Sequence, residues 1–425
     1  MTMPVGFQLR GYLILRRVLQ PVMRRVLAGR IRKGKEKAAR AGERLGVATQ
    51  ARPAGRVVWM HAVGLGEVLA LRPLIFGMQQ EAPDLNFVIT STARSSADVL
   101  GQNLPANTVH QFLPLDGPKF IAKFLDHWKP CLSIWSEQDI WPGAIYDCAA
   151  RDIPMAYVNG RMDNKSTAKR ARLAGLYKRV FGMFDLIAAQ DDQTAKNFSS
   201  LGGRDVRVMG SLKPAAEPLW VDASALEKLQ AALDGRKIWV AASTHSDDEA
   251  VLIDAQRELV KRDPSWLLIL APRAPARGDE IVGALDQAGL TFTRRSKGGQ
   301  PNPSHFVWIA DSFGELGLWY RLATAAFVGG SYGSLGGHNP WEAICLNLPV
   351  CHGPNVANFA KDYEVLDCSG ASQPLPDDAS SVPALVDFVV QSQTTQANVG
   401  TLVEDAKAAL KPLVKDLIAM IRAGA

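Results

Sequence analysis

The sequence has little of what would mark a secreted, metal-bound or membrane-spanning protein. Its 425 residues hold 5 cysteines (Cys131, Cys148, Cys345, Cys351, Cys368) and no Cys-x-x-Cys pair. That usage excludes a disulfide scaffold and suits reduced thiols in a cytoplasmic chain. The 7 histidines are scattered, with no His-Glu-x-x-His or comparable spacing, so no bound metal is expected. Gly11–Leu15, the longest uncharged apolar run of the first 45 residues, is far too short to span a bilayer. Arg16, Arg17, Arg24 and Arg25 are foreign to a signal-peptide core. There is no short-period repeat.

What is present is a soluble globular composition, 47% apolar and 21% charged, long enough for two or three domains. The net charge of +6 is concentrated. Residues 1–44 carry 12 Lys/Arg and 2 Glu, while the rest carries 36 Lys/Arg against 40 Asp/Glu. The basic character therefore belongs to the amino-terminal arm, and a nucleic-acid partner is not expected. In that arm Leu, Ile, Val and Met alternate with arginines. The pattern predicts a basic amphipathic helix, interrupted near Pro21, lying on an anionic membrane surface. The alternative is a solvated helix packed on its own domain.

From residue 56 to 209, β-rich runs alternate with stretches long enough for crossover helices. The runs are Val57–His61, Asn86–Thr90, Val109–Leu113, Cys131–Trp135, Met155–Val158, Leu186–Ala189 and Val206–Met209. A second series follows: Ile238–Ala242, Trp266–Leu270, Phe306–Ile309, Ala325–Val328 and Pro349–Cys351. Such alternation predicts α/β architecture, two tandem Rossmann-like doubly wound domains whose strand carboxyl ends face a shared cleft. The expected divisions are an arm (1–45), an amino-terminal domain (46–209), a linker (210–235), a carboxyl-terminal domain (236–400) and a closing helix (401–425).

The turn "HAVGLGEVLAL" after the first run invites comparison with a dinucleotide cradle. Leu69 stands where the third glycine or alanine belongs, and Glu67 in the first helical turn would oppose a pyrophosphate. A helix amino terminus instead favours an ionised Glu67, suited to act as a base. After the fourth run, Glu137 and Asp139 precede Trp141-Pro142, and Arg161 or Lys213 can balance them. In the second domain, Gly329-Gly330-Ser331 opens a glycine-rich loop leading to Asn339-Pro340-Trp341-Glu342. Asn339 fits an N-cap, Pro340 the first helical position and Glu342 the capping-box place. The glycines before that cap let backbone amides approach a phosphate, leaving Glu342 for ribose hydroxyls. Arg273 at the end of the Trp266–Leu270 run, Ser243 or Thr244 after Ile238–Ala242, and "ADSFGEL" are weaker signals. Each is equally compatible with surface charge or capping.

Taken in order, these segments resemble the 3-deoxy-D-manno-oct-2-ulosonic acid (Kdo) transferases of lipopolysaccharide synthesis, from "GERLG" (42–46) to "HGPNVANF" (352–359). "HAVGLGE" is similar to the family's HAxSVGE, with Gly64 in place of its serine and Gly66 before the glutamate. The resemblance implies a GT-B-type fold and Glu67 as catalytic base. "SEQDIWP" and "GSLK" place Glu137 and Lys213 at transition-state positions. "APR" (Pro272, Arg273), "SFGEL" (Phe313, Gly314, Glu315) and "HNPWEA" (Asn339, Pro340, Trp341, Glu342) are implied CMP contacts, with Gly330 and Ser331 beside the leaving phosphate. Gly64, Gly66, Asp139 and Arg161 are the expected acceptor side. The implied reaction is inverting, metal-independent transfer from CMP-Kdo to a lipid A precursor at the cytoplasmic face of a bacterial inner membrane, with no cofactor. A related transferase using another activated ulosonic acid or sugar, or a non-catalytic nucleotide- or lipid-binding paralogue, shares most of these features.

Overall fold

The computed structural model describes residues 6–92, 104–137, 140–394 and 400–423. The chain divides into two units, Met1–Ala216 with Glu404–Ala425, and Glu217–Val403. In the first, β1 (Val57–His61), β2 (Asn86–Ser91), β3 (Thr108–Phe112), β4 (Leu132–Ser136), β5 (Met155–Gly160), β6 (Leu186–Ala189) and β7 (Val206–Val208) form one sheet. Its order is β3-β2-β1-β4-β5-β6-β7, with parallel pairing throughout the described strands. Every residue of β1 and β4 is buried. Helices cover both faces, so these strands are buried along their whole length rather than at alternate residues. Val58 and Met60 join a core with Leu74, Met78, Leu413 and Leu417. Val57 and Trp59 join another with Phe124, Trp128 and Phe181. Strand order reverses between β1 and β4, the place where open parallel sheets bind ligands beyond their strand carboxyl ends.

The second unit repeats the plan with β8 (Lys237–Thr244), β9 (Trp266–Pro272), β10 (Phe292–Arg294), β11 (Val307–Ile309), β12 (Ala326–Val328), β13 (Val350–His352) and β14 (Ser372–Pro374). The described order is β10-β11-β9-β8-β12-β13-β14, again parallel, and it reverses between β8 and β12. Two strands go beyond the sequence expectation. β10 and β14 are the sheet's edges, three residues each, and "FTR" and "SQP" carry almost no apolar signal.

The expected arm is different in kind from a separate surface element. Helix α1 (Phe7–Arg32) runs unbroken through Pro21 and buries Leu9, Arg16 and Leu27 against the first unit. A proline inside a helix costs about 3 kcal/mol relative to alanine, and docking of the flanking turns offsets it. Gln20 Oε1 accepts the Lys119 amide at 3.1 Å, and the Arg24 guanidinium lies 5.4 Å from the Phe120 ring centre. Arg16 is a buried ion-pair centre: Nη1 lies 3.3 Å from Asp116 and Nη2 lies 2.6 Å from Asp147. Tyr12 donates to Asp116 at 2.6 Å, and burial together with that carboxylate pushes the Tyr12 phenol far above its usual range. Arg16 is thus a structural residue, unlike the membrane-facing role its neighbours suggested. The opposite face of α1 is open to solvent, with Ile14, Leu15, Val18, Val22 and Val26 all exposed. Among the described residues no helix is long and apolar enough to cross a membrane.

The stretch expected as a linker (210–235) is mostly part of the second unit, and the closing helix is present as Gly400–Ala423. Residues 217–235 belong to the second unit, where Leu219 O accepts from Arg321 and Leu229 enters the core. The helix Gly400–Ala423 returns to the first unit, burying Leu410, Leu413, Val414, Leu417, Ile418 and Ile421 against β1-side residues.

Candidate active site

In the first unit, β1 ends at His61 and the chain turns through Gly64 into the short helix Leu65–Ala70. Glu67 is in its first turn, half-buried, and one carboxylate oxygen accepts the Gly64 amide at 3.0 Å. A carboxylate in this turn satisfies an amide donor that the helix itself leaves open. A Cβ on residue 64 would meet Glu67 Oε2 at 2.8 Å, so glycine there admits the returning carboxylate. Gly66 is exposed on the same turn.

Beside it, β4 delivers Glu137 in a left-handed backbone conformation, φ 64°. That conformation costs a non-glycine residue about 1–3 kcal/mol and aims its side chain where regular strand would not. Glu137 Oε1 accepts from Asn159 Nδ2 at 3.1 Å and stands 3.9 Å from Lys213 Nζ. The Tyr157 hydroxyl donates to the Glu137 carbonyl, holding the turn. Asn159 is itself left-handed, φ 52°, and its Oδ1 accepts from Gln190 Nε2 at 2.9 Å and from the Leu212 amide at 3.2 Å. Asn159 thereby ties the strand carrying Glu137 to the segment carrying Lys213. It lies in the "VNGRM" stretch, whose asparagine before a glycine was the available signal. Arg161 follows β5 within electrostatic range of Asp163, and Lys213 places a cation beside Glu137. Asp139 lies outside the described residues.

In the second unit, the glycine-rich loop departs from expectation. The amides of Gly330, Ser331 and Tyr332 do not stand open for a phosphate. They donate to the buried carboxylate of Asp248 at 2.7, 3.2 and 3.0 Å, joined by the His245 amide at 2.9 Å. Burial raises the Asp248 carboxyl, and the four amides act against that rise. The Ser331 hydroxyl donates to Val328 O and accepts the Gly353 amide, both internal bonds. Gly330 and Ser331 therefore shape the loop from within. Asp248 reads in sequence as one of three adjacent carboxylates in "SDDE", with nothing local to say which turns inward.

His245, not Ser243 or Thr244, is the N-cap of the helix Ser246–Arg262. Thr244 donates to Glu249 at 3.2 Å, while Ser243 adopts a left-handed φ of 56°. Asn339 Oδ1 accepts the Trp341 amide at 3.2 Å, and its Nδ2 is 3.4 Å from Glu342. The helix begins at Trp341, one residue later than the capping pattern implied, and spans only Trp341–Ile344. Trp341 is 3% exposed, so its indole is core rather than ligand surface. Pro340 is buried and Glu342 half-buried. Pro272 is buried at the end of β9, and Arg273 is exposed after it. Phe313 is 65% exposed, Gly314 has φ 85°, and the Glu315 carboxylate is engaged by Arg295 at 2.7 Å and by the Ser312 hydroxyl. Among the described residues no group of three or more His, Cys, Asp or Glu side chains could hold a metal ion.

Residues 39–216 match the family model described as 3-Deoxy-D-manno-octulosonic-acid transferase (kdotransferase). A Rickettsia felis protein named 3-deoxy-D-manno-octulosonic acid transferase is 35% identical over 301 residues, 71% of this chain and 64% of that protein. The chain thus spans somewhat under two thirds of that relative. The Rickettsia bellii protein of the same name is 31% identical over 349 residues, 82% of this chain and 83% of that one. Among solved structures, the UDP-GlcNAc 2-epimerase of Neisseria meningitidis bound to UDP-GlcNAc is similar at a TM-score of 0.56 and 12% identity. It covers 87% of this chain and 100% of the epimerase, a likeness of fold alone.

Proposed function

Because the chain belongs to the 3-deoxy-D-manno-octulosonic acid transferase family, we propose that it transfers Kdo from CMP-Kdo to a hydroxyl of a lipid A precursor. One observation carries most weight. Glu67 and Glu137 follow the carboxyl ends of β1 and β4, neighbouring strands at the order reversal of the first unit, and Lys213, beyond β7, stands 3.9 Å from Glu137. In the proposed step Glu67 takes the proton from the acceptor hydroxyl as its oxygen attacks the anomeric carbon. The bond from that carbon to the phosphate oxygen breaks, and its electron pair leaves with CMP. Attack opposite the leaving group inverts the anomeric centre, and the step is metal-independent. Lys213, oriented by Glu137 and Asn159, supplies a fixed positive charge for the developing transition state. Arg273, Asn339 and Glu342 hold CMP in the second unit.

The acceptor is an amphiphile, and α1 supports delivery to it. Its outer face combines Ile14, Leu15, Val18, Val22 and Val26 with exposed Arg10, Arg17 and Arg25. Apolar insertion and attraction to anionic headgroups together suit a helix lying in a membrane surface, at the cytoplasmic face of the inner membrane. The deciding experiment incubates purified protein with CMP-Kdo and lipid IVA and identifies products by mass spectrometry. Kdo-bearing lipid with stoichiometric CMP is the expected result. CMP-Kdo left intact, or turnover of a different CMP-ulosonic acid alone, would overturn the proposal.

A further inference from the structure

The amide nest expected to meet the donor phosphate is already filled by Asp248, so an incoming phosphate needs another positive partner. Two histidines supply the only imidazole pair in contact among the described residues of this loop. His245 Nε2 and His338 Nε2 are 2.9 Å apart, with rings inclined by 13° and centroids separated by 5.2 Å. At that distance one nitrogen donates and the other accepts, so the pair shares a single proton between its facing nitrogens. Both rings are half-buried, and both leave the carboxyl-end side of the sheet where strand order reverses between β8 and β12. Gly330 makes room for them. A Cβ there would lie 2.9 Å from His338 Cδ2 and 3.0 Å from its Nε2, and the backbone is left-handed at φ 69°.

Building on the proposed CMP donor, we infer that His245 and His338 form a proton-sharing clamp that holds the donor phosphate and gains one proton as that phosphate gains charge. In CMP-Kdo the phosphate is a monoanionic diester. When the sugar–oxygen bond breaks, it becomes a monoester whose second charge is largely present at neutral pH, since such groups titrate near pH 6. The acceptor's proton goes to Glu67, and the proton gained by the clamp comes from solvent water.

Burial, His245 and Arg273 together hold His338 down at about 4, so the clamp without a ligand stays uncharged on that ring at neutral pH. Charged groups on the elements beside the clamp include Arg273 after β9, Asp247, Asp248 and Glu249 in the first turn of the helix Ser246–Arg262, the last paired with Arg277, and Glu342 on Trp341–Ile344. Asp248 is occupied by the loop amides. The Tyr363 hydroxyl donates to the His338 backbone carbonyl at 3.1 Å. A phosphate entering beside Arg273 offsets the local field, and the added proton goes to the Nδ1 of one ring, because the facing Nε2 atoms, 2.9 Å apart, hold only one proton between them.

The test uses the full chain and two probes, CMP and cytidine. Calorimetry at pH 7 in buffers of different ionisation enthalpy should show net proton uptake on CMP binding and none with cytidine. His338→Gln and His245→Asn should weaken CMP by roughly tenfold or more, the size of a charge-assisted hydrogen bond, and leave cytidine within about twofold. Both should flatten the rise in CMP affinity between pH 8 and 6.5, and the ionisation of CMP itself cancels in that comparison. Should a variant not fold, long-range ¹H–¹⁵N spectra of the wild-type histidines decide, because CMP should convert one ring of the pair to imidazolium. CMP binding with unchanged proton uptake in the variants, or unchanged ring spectra in the wild type, overturns the clamp alone. Absence of any CMP binding by the wild type overturns the donor assignment with it.

Discussion

Glu67 has two separable jobs, and substitution can divide them. Its carboxylate accepts the Gly64 amide at 3.0 Å, a structural bond, and it is the proposed proton acceptor. Glutamine keeps an oxygen for the amide and loses only the basicity. Glu67→Gln should therefore leave unfolding free energy within a few tenths of a kcal/mol. It should lower turnover by about 10²- to 10⁴-fold, the usual share of a general base. In barrier terms that is about 3–5 kcal/mol. Glu67→Ala should show the same loss of turnover and add about 1 kcal/mol of destabilisation, because the partly exposed amide loses its acceptor. The assays are single-turnover release of CMP with saturating donor and acceptor, and urea unfolding of each variant. Turnover of Glu67→Gln within twofold of wild type would refute the base assignment. A stability loss equal to that of Glu67→Ala would refute the account of the helix start.

Arg16→Gln should destabilise the first unit by about 3–5 kcal/mol in urea titrations, since it strands Asp116 and Asp147 in the interior; a loss below about 1 kcal/mol would contradict the ion-pair account. Replacing Ile14, Val18 and Val22 by Ser, or Arg10, Arg17 and Arg25 by Gln, should leave folding intact and weaken pelleting with anionic vesicles. Each arginine should contribute about 1 kcal/mol at low salt and less as salt screens it; unchanged pelleting of both sets would place membrane contact elsewhere. His110 is held at about 3 by burial and by Arg40, Arg44 and Lys37. The unfolded chain takes up its proton near pH 6.5, the folded chain only near 3, so stability falls as pH drops through that window. The slope is at most ~1.4 kcal/mol per pH unit, and His110→Gln should remove that part of it in paired acid-unfolding curves.

The sequence made the sheets legible and left their margins and cross-links hidden. Runs such as Val57–His61 and Trp266–Leu270 announce central strands because both faces are covered. Edge strands need no such apolarity, which is why Phe292–Arg294 and Ser372–Pro374 pass unnoticed. Motif order singled out Glu67, Glu137 and Lys213 as candidates, and the structure brings Glu137 and Lys213 within 3.9 Å of each other. Motif order could not locate partners supplied from elsewhere in the chain. Asp248 reaches Gly330 across 82 positions, and His245 reaches His338 across 93. Their meeting depends on which strands become neighbours at the reversal. Arg16 is a related case: its neighbours in the arm face solvent, and only the position of Asp116 and Asp147 turns it inward. The amphipathic pattern of Gly400–Ala423 likewise identifies a helix with an apolar face but carries no address for it.

That last helix has a consequence in time. A ribosome finishes most of the first unit by Ala216, then makes all of Glu217–Val403 before the segment that fills the first unit's apolar groove is synthesised. At about 5–20 residues per second this interval is on the order of tens of seconds, far longer than helix or hairpin formation takes. The second unit, though later in the chain, is contiguous and can close first. The first unit waits with the surface around Leu74 and Met78 uncovered until Leu413 and Leu417 arrive. A nascent chain stalled before Glu404 would accordingly hold a finished second unit and an unfinished first one.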